Sequence, residues 1–390
     1  MGTQADLLEN LLGKSAGARN PVPRSPDHSD RIVLYGAGNL GRVVLSRLRA
    51  SGVEPLAFAD DTGAKQGCIL DKLQVLKPEE VINRFGSNVI FAVTILNPAL
   101  RFIEARERLH HRTGGDVLSL LDLARMFPNA LLPYLQYDRP EKIVEHAERI
   151  RRAFQTFSGE KSREQFIAHL EFRLTAKYDV LPAKSQPAYF PRDLIGRFSS
   201  DATFVDCGAY DGDSIRGFLA HQNRQFGAIF AFEPDNRNYE QLAAYVRSLG
   251  AEISSRIQLR RGAVGAHSGR VAFHETGDMS AAVVPDAAGK VDLFALDDAI
   301  PQSGAQTYIK FDVEGFELEA LRGAAGFLAS ERPTLAVSVY HRPADLWEIP
   351  LYLHDLDLGY RLDLRTEGED GMDIVCYALP PDSTNSVTTA

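Results

Sequence analysis

Two glycine-rich segments constrain the fold of this chain more than any other feature, because each directly follows a run of apolar residues. The first is GAGNLG at 36–41, after RIVLY, and the second is CGAYDGDS at 207–214, after TFVD. A buried strand that turns through glycine into an amphipathic helix is a typical opening of a parallel α/β sheet. A chain of 390 residues is long enough for two such domains.

Composition shifts and hydrophobic periodicity divide the sequence into five segments. The start and the end of the chain lack periodic apolar patterns, and apolar residues recur at helical spacing between the two α/β regions. The predicted segments are a flexible leader at 1–30, a Rossmann-like domain at 31–125, a helical connector at 126–188, a second α/β domain at 189–380 and a flexible tail at 381–390.

Charge and cysteine content argue against several classes of partner. The formal net charge is −9 and no long Lys/Arg-rich run occurs, so a nucleic-acid partner is not expected. Cys68, Cys207 and Cys376 are scattered without a CxxC spacing, which favours reduced thiols over disulfides or a structural zinc site. No apolar run predicts a membrane helix or a signal peptide, so we expect a soluble cytoplasmic protein without a membrane partner.

The second glycine segment has the spacing of a nucleoside site. Glu233 ends the next strand, in FAFEPD, about 20 residues after the glycines, where a carboxylate would accept the hydroxyls of a ribose. Asp206, Asp211 and Asp213 lie in or beside the turn, and they would repel a pyrophosphate. S-adenosylmethionine (SAM) fits better, because it combines a ribose with a positively charged ammonium and sulfonium.

The segment from about Tyr189 to Leu379 resembles the FkbM family of SAM-dependent methyltransferases. The motifs that carry the resemblance are YFPRDLI, FVDCGAYDGDS, FAFEPDNRNYEQL, YIKFDVEGFELEALRGA, SVYHRPADLWEIPLYL and DIVCYAL. The resemblance implies a class I methyltransferase fold, with a seven-stranded sheet that ends in an antiparallel hairpin. It also implies SAM as methyl donor and, in most cases, a hydroxyl acceptor on a sugar or natural product.

Position in these motifs assigns the cofactor residues. Glu233 would hold the ribose, with Phe232 and Pro234 near the adenine, and Ala263 in RGAVG would place its backbone at the adenine edge. A bulged strand explains RGAVG nearly as well, and a purely structural turn is the alternative for the glycine loop. The residues expected to wrap the methionine and ribose are Asp206, Gly208, Ala209, Tyr210, Asp211, Gly212 and Ser214.

The candidate catalytic residues are Asp312, Glu314 and His341. Asp312 and Glu314 follow the strand TYIKF, with Asp312 expected beside the sulfonium, and His341 follows the strand TLAVSVY. A base in this position would take the proton of an acceptor hydroxyl. The same groups could instead hold a magnesium ion, or they could be ordinary surface residues, and the spacing does not decide the metal.

The first glycine segment predicts a second nucleotide site. Gly36, Gly38 and Gly41 complete GxGxxG around Asn39 and Leu40, and Asp60 ends the following strand. The segment resembles Rossmann-like domains that precede sugar-modifying transferases and the dinucleotide-binding domains of dehydrogenases. The alternative is that the glycines serve only close packing of a helix on a strand.

The sequence therefore leaves three functions open. The leading prediction is an O-methyltransferase whose first domain binds or presents the acceptor, for example as a nucleotide-linked sugar. The alternatives are an NAD-dependent oxidoreductase, which leaves the motifs beyond residue 200 unexplained, and a non-catalytic regulatory protein that binds SAM or a nucleotide. The helical connector offers a surface for a homodimer.

Overall fold

The computed structural model describes residues 3–15, 31–96, 100–274, 282–283 and 289–381. The chain divides into two compact units. The first consists of 1–147, 167–181 and 368–371, and the second consists of 148–166, 182–367 and 372–390. The segment predicted as a separate helical connector is thus divided between the two units.

The first unit contains a six-stranded sheet of order β3-β4-β2-β1-β5-β6, in which only β3 runs antiparallel to its neighbour. Its central strands, IVLY and IFAV, are continuously apolar because both of their faces are covered. The elements are α1 (Gln4–Ser15), β1 (Ile32–Tyr35), α2 (Asn39–Ala50), β2 (Ala57–Ala59), β3 (Ile69–Leu70), β4 (Leu73–Leu76), α3 (Pro78–Phe85), β5 (Ile90–Val93), α4 (Phe102–Thr113), β6 (Asp116–Leu118), α5 (Leu120–Met126), α6 (Pro128–Leu131) and α7 (Pro140–Glu145).

Helix α1 lies inside the segment predicted as a flexible leader, so that prediction is wrong for Gln4–Ser15. Leu8 and Leu12 stand one helical turn apart and are both buried. This short apolar stripe gives the helix a face that packs, and α1 contacts α7. Residues 16–30 of the predicted leader and 382–390 of the predicted tail lie outside the described residues.

The second unit contains a seven-stranded sheet of order β16-β17-β15-β14-β7-β8-β9. Strand β17 runs antiparallel to both neighbours and the other pairs are parallel, as predicted for a class I methyltransferase fold. The elements from here on are α8 (Ala147–Thr156), α9 (Glu160–Thr175), β7 (Thr203–Cys207), α10 (Asp213–His221), β8 (Ala228–Phe232), α11 (Asn236–Ser248), α12 (Ala251–Ser254), β9 (Ile257–Arg260), β10 (Ala263–Val264), β11 (Gly269–His274), β12 (Ala282–Val283), β13 (Gly289–Phe294), α13 (Leu296–Ala299), β14 (Thr307–Phe311), α14 (Glu317–Arg322), α15 (Ala325–Glu331), β15 (Thr334–Ser338), α16 (Asp345–Asp355), β16 (Arg361–Thr366) and β17 (Ile374–Leu379).

The run IQLRRGAVG, predicted as one strand, forms two strands in two sheets. Strand β9 belongs to the large sheet, whereas β10 joins a four-stranded sheet of order β10-β13-β11-β12. Gly262 lies between them, and a Cβ at this position would stand 2.6 Å from the carbonyl oxygen of Asp292. The close approach of the second sheet therefore explains both the break and the glycine.

The order of the strands places a crevice at one edge of the large sheet. Strands β7, β8 and β9 follow one another to one side, while β14 and β15 lie on the other side of β7. Ligands of open α/β sheets bind at such a reversal, beside the carboxyl ends of the two strands that flank it. Among the described residues, no helix is long and apolar enough to cross a membrane.

Candidate functional site

The glycines after β7 are required by packing within the protein. Gly208 has φ +86°, and a Cβ on it would lie 1.9 Å from the carbonyl oxygen of Asp312. Gly212 has φ +90°, and its Cβ would lie 2.6 Å from the Tyr245 ring. A side chain at either position would therefore collide with the protein before it could meet a ligand.

Glu233 ties the end of β8 to the glycine loop. Its side chain is buried, with Oε2 accepting a hydrogen bond from the Tyr210 amide at 2.8 Å and Oε1 accepting one from the Asp235 amide at 2.9 Å. Burial raises the pKa of Glu233 to about 7, and the two backbone donors offset only part of this rise. Tyr210 has φ +46°, a strained conformation for a residue with a side chain.

The three residues predicted near the adenine lie at the end of β8 and at the start of β10. Pro234 is half-buried beside Glu233, and Ala263 begins β10 next to Gly262, whose amide donates to the Glu233 carbonyl at 3.2 Å. Phe232, in contrast, is fully buried, and its ring lies 5.7 Å from that of Phe294. The Phe232 ring thus belongs to the core, and its contact with adenine stays a prediction.

The remaining polar residues of the loop are engaged locally. Asp211 pairs with Arg216, and the Ser214 amide and hydroxyl both donate to Asp213. Ala209 is fully buried at the start of the turn. These contacts stabilise the loop that leads into α10.

A buried ion pair links β7 to β14. Lys310 Nζ lies 3.1 Å from Asp206 Oδ1 and donates to the Gly208 carbonyl at 2.7 Å, and both charged side chains are essentially without exposure. Burial raises the pKa of Asp206 to about 6, although Lys310 acts in the opposite direction. Lys310 was not among the predicted site residues, although a lysine inside the apolar strand TYIKF is a signal that could have identified it.

Asp312 lies where predicted, directly after β14, and is held by two tyrosines. Its Oδ2 accepts from the Tyr189 hydroxyl at 2.8 Å, and its Oδ1 lies 3.4 Å from the Tyr340 hydroxyl. Burial raises the pKa of Asp312, but Lys310 and His341 outweigh it, so the net shift is downward. The Asp312 carboxylate is therefore ionised at neutral pH.

The three predicted catalytic residues come together around the imidazole of His341. Its Nε2 lies 3.6 Å from Asp312 Oδ1 and 3.7 Å from Glu314 Oε2. The side chain is only 3 % exposed, so His341 is not the surface histidine of the alternative reading. Burial lowers the pKa of His341, but the carboxylates of Glu317 and Glu314 outweigh it and raise this pKa to about 10.

Glu317, which the sequence reasoning missed, fixes the orientation of the histidine. Its Oε1 lies 2.8 Å from His341 Nδ1 and also accepts from the amides of Val313 and Gly315 at 2.9 and 3.3 Å. The side chain is buried at the start of α14. The acid was visible as the second glutamate of KFDVEGFE, but nothing in the sequence showed which acid faces the ring.

Glu314 reaches the histidine from a strained turn. Its φ is +53°, and the following Gly315 has φ +91°. Such a conformation costs about 1–2 kcal/mol for a residue with a Cβ. Burial raises the pKa of Glu314 to about 8. Strained non-glycine residues cluster at functional sites, and here the strain brings a carboxylate to the crevice.

The glycine loop of the first unit is built differently. Cβ atoms would collide with Ile95 at Gly36 and with the Gly36 carbonyl at Gly41, but a Cβ on Gly38 would meet no described atom within 4 Å. Asn39 and Leu40 begin α2. Gly38 is thus the position of this GxGxxG whose identity internal packing does not explain.

Asp60 contacts its own chain rather than an open crevice. Its carboxylate accepts from the amides of Ala37 and Thr62, both at 2.8 Å, and from Lys65 Nζ at 3.1 Å. Burial raises the pKa of Asp60, but these hydrogen bonds outweigh it and lower the pKa. A ribose at this position would compete with these three donors.

Comparison with protein families gives a match for the second unit. Residues 206–362 match the family described as Methyltransferase FkbM domain. This confirms the resemblance carried by the sequence motifs, and these residues form an FkbM methyltransferase domain. The match supports a SAM-dependent methyltransferase. A search of curated proteins gives no match.

One solved structure shares the fold over nearly all of the chain. The crystal structure of methyltransferase FkbM from Methylobacillus flagellatus KT is 23 % identical, with a TM-score of 0.77 over 97 % of this chain and 99 % of that one. UDP-D-quinovosamine 4-dehydrogenase from Vibrio fischeri is 27 % identical over 25 % of this chain and 84 % of its own, with a TM-score of 0.20. A SAM-dependent methyltransferase from Aquifex aeolicus is 14 % identical over 47 % and 84 %, with a TM-score of 0.29. The last two scores are too low to carry an argument.

Proposed function

We propose that this protein is a SAM-dependent O-methyltransferase that acts on a hydroxyl of a sugar, a nucleotide-linked sugar or a natural product. The observation that supports it most is the meeting of Asp312, Glu314 and His341 at the reversal point of an FkbM methyltransferase domain. Hydroxyl methylation needs a proton acceptor near the methyl group, and the ionised carboxylate of Asp312 is the leading candidate in this cluster.

The cofactor would bind beside the glycine loop. Glu233 stands at the end of β8 with its carboxylate fixed by two amides, in a position suited to the ribose hydroxyls. Asp206 and Asp312 provide negative charge next to the loop, where the ammonium and sulfonium of SAM would be stabilised. SAM and its product should therefore bind the second unit.

In the proposed reaction the acceptor oxygen forms a bond to the methyl carbon of SAM. The bond between that carbon and sulfur breaks, and its electron pair stays on sulfur to give S-adenosylhomocysteine. The acceptor hydroxyl loses its proton to the cluster as the new bond forms. Alignment and exclusion of water supply much of the acceleration, because the sulfonium is already a good leaving group.

The first unit would bind the nucleotide part of the acceptor. The space beside Gly38 supports this idea, since no described atom occupies it. An NAD-dependent oxidoreductase is disfavoured, because the Asp60 carboxylate already accepts three internal hydrogen bonds. A cytoplasmic location and a homodimer remain part of the proposal.

The test is transfer of labelled methyl groups from SAM to a panel of hydroxylated acceptors, including nucleotide sugars, at several pH values. Asp312→Asn keeps shape but removes charge, so it should lower turnover by about 10²–10⁴ while lowering SAM affinity far less. Glu314→Gln and His341→Ala are measured beside it, with the exposed His354→Ala as control. Near-parental turnover in all three site variants would show that the cluster takes no part in proton removal.

A further inference from the structure

The hydrogen bond between His341 and Glu317 engages one ring nitrogen, Nδ1, and leaves the other, Nε2, to bind a ligand. A carboxylate can only accept, so His341 Nδ1 donates its hydrogen to Glu317 Oε1 over 2.8 Å. A cation that displaces the second ring proton would therefore bind the lone pair on Nε2. A buried carboxylate on the far nitrogen is the usual support of a histidine that binds a metal, because it fixes the tautomer and the ring orientation.

His341 Nε2 is buried and has no hydrogen-bond partner among the described residues. It points toward Asp312 Oδ1 at 3.6 Å and Glu314 Oε2 at 3.7 Å, distances that are too long for hydrogen bonds. Two ligands that each lie about 2.0–2.3 Å from one cation, 90–120° apart, are separated by roughly 3–4 Å. Each of these two separations fits a pair of atoms that bind the same cation.

We propose that His341 Nε2 and Asp312 Oδ1 bind one divalent metal ion, with Glu317 orienting the histidine. Among the described residues, Asp312, Glu317 and His341 form the group whose ligand atoms all lie within 4.8 Å of one another. Glu317 is assigned the orienting role because its Oε1 already contacts two amides and the ring. One imidazole and one carboxylate suit Mn²⁺, Zn²⁺ or Mg²⁺.

The catalytic role of this ion rests on the proposed function. An ion bound here would take an acceptor hydroxyl as a further ligand and lower its pKa, which helps the hydroxyl to lose its proton. Metal binding itself can be measured without SAM, acceptor or turnover. The two proposals can therefore fail separately.

The experiment titrates Mn²⁺ into the full-length protein after removal of metals with EDTA, following the free ion by electron paramagnetic resonance. We expect one saturable site from which Mg²⁺ or Zn²⁺ displaces Mn²⁺. His341→Ala should weaken Mn²⁺ binding at least about 100-fold, and Glu317→Gln about 10–100-fold. The control His354→Ala, an exposed histidine of α16, should bind as the parent does.

Absence of saturable Mn²⁺ and Zn²⁺ binding by the parent protein would overturn the proposal, whatever the variants do. Unchanged affinity in a folded His341→Ala, judged by its thermal unfolding, would overturn it as well. Calorimetric titration with SAM separates the two ideas. A parent that binds SAM but no metal contradicts only the metal site, whereas a parent that binds metal but not SAM contradicts the methyltransferase proposal.

Discussion

The two glycine loops of this protein both follow a buried strand but differ in what requires their glycines. In the second unit, Gly208 and Gly212 both have positive φ and would collide with the protein if they carried a side chain. In the first unit, Gly36 and Gly41 are likewise required by packing, but Gly38 is not. Internal packing therefore requires the glycines at most positions of the two loops and leaves open space beside one of them.

The acids that end the strand after each loop, Asp60 and Glu233, also differ in their surroundings. Asp60 has a lowered pKa and is satisfied by Ala37, Thr62 and Lys65, whereas Glu233 is buried with a raised pKa. An acid that is costly to bury in its charged form suits a site where a ligand later supplies donors. The comparison teaches that glycine spacing locates a crevice, while the environment of the acid shows what the crevice can bind.

The largest expected effect is on stability. Gly208→Ala should destabilise the second unit by roughly 2–5 kcal/mol, because it combines a left-handed backbone with a 1.9 Å clash. Gly38→Ala should change stability by no more than about 0.5 kcal/mol. Urea unfolding followed by fluorescence of Trp347, the single tryptophan, which lies in the second unit, measures the first change.

Circular dichroism follows both units in the same titrations, and so it provides the measurement for Gly38→Ala. Equal destabilisation by the two substitutions would mean that Gly38 is packed as tightly as Gly208. That result would remove the difference between the loops.

The second effect concerns pH. The pKa of Glu233 rises from 4.5 to about 7 on folding, so the folded state holds this proton more tightly than the unfolded state. Stability should therefore fall as pH rises from about 4.5 to 7, by at most about 3 kcal/mol from this group. Glu233→Gln should flatten this part of the profile, measured as the urea midpoint of Trp347 fluorescence at pH 5 and 7.5.

Asp60 is the matched control for Glu233, because its contribution to stability should fall as pH decreases rather than as pH increases. Its pKa is lowered, so its contribution is complete above about pH 4 and is lost as pH falls further. Asp60→Asn should leave the profile between pH 5 and 7.5 unchanged. If Asp60→Asn flattened the dependence of stability on pH and Glu233→Gln left it unchanged, Asp60 rather than Glu233 would be the group that titrates in this range.

A third effect is on cofactor affinity. Glu233→Ala should weaken SAM binding by about 1–3 kcal/mol, because it removes the acceptor for the ribose hydroxyls. Asp60→Ala should leave SAM affinity unchanged, since SAM is assigned to the second unit. Isothermal titration calorimetry of the two variants provides the measurement. Unchanged affinity in a folded Glu233→Ala would place the ribose elsewhere.

The smallest effect is expected at the first loop. Gly38→Val should reduce binding of a UDP-sugar at least about tenfold, or about 1.4 kcal/mol, because a branched side chain fills the space beside the backbone. SAM affinity should not change. Parallel loss of SAM and nucleotide affinity would contradict the idea of two independent sites.

The sequence by itself determined the parts of this protein that local pattern encodes. Apolar runs and glycine turns predicted two α/β regions, and the motifs beyond residue 200 predicted the seven-stranded sheet with its terminal hairpin. The same reasoning located Glu233, Asp312 and His341 at strand ends. Carboxyl ends of neighbouring parallel strands meet at one edge, so residues that follow β14 and β15 had to lie close together.

Only the tertiary structure decided which side chains pair and which positions are crowded. Tyr189 donates to Asp312 across 123 positions of sequence, and Lys310 reaches Asp206 across 104. Glu317, rather than Glu314, faces His341 Nδ1, and the Asp312 carbonyl is what makes Gly208 necessary. Periodicity and strand ends are local properties of a chain, whereas these contacts depend on how distant segments pack, and packing is set by all of the surrounding side chains together.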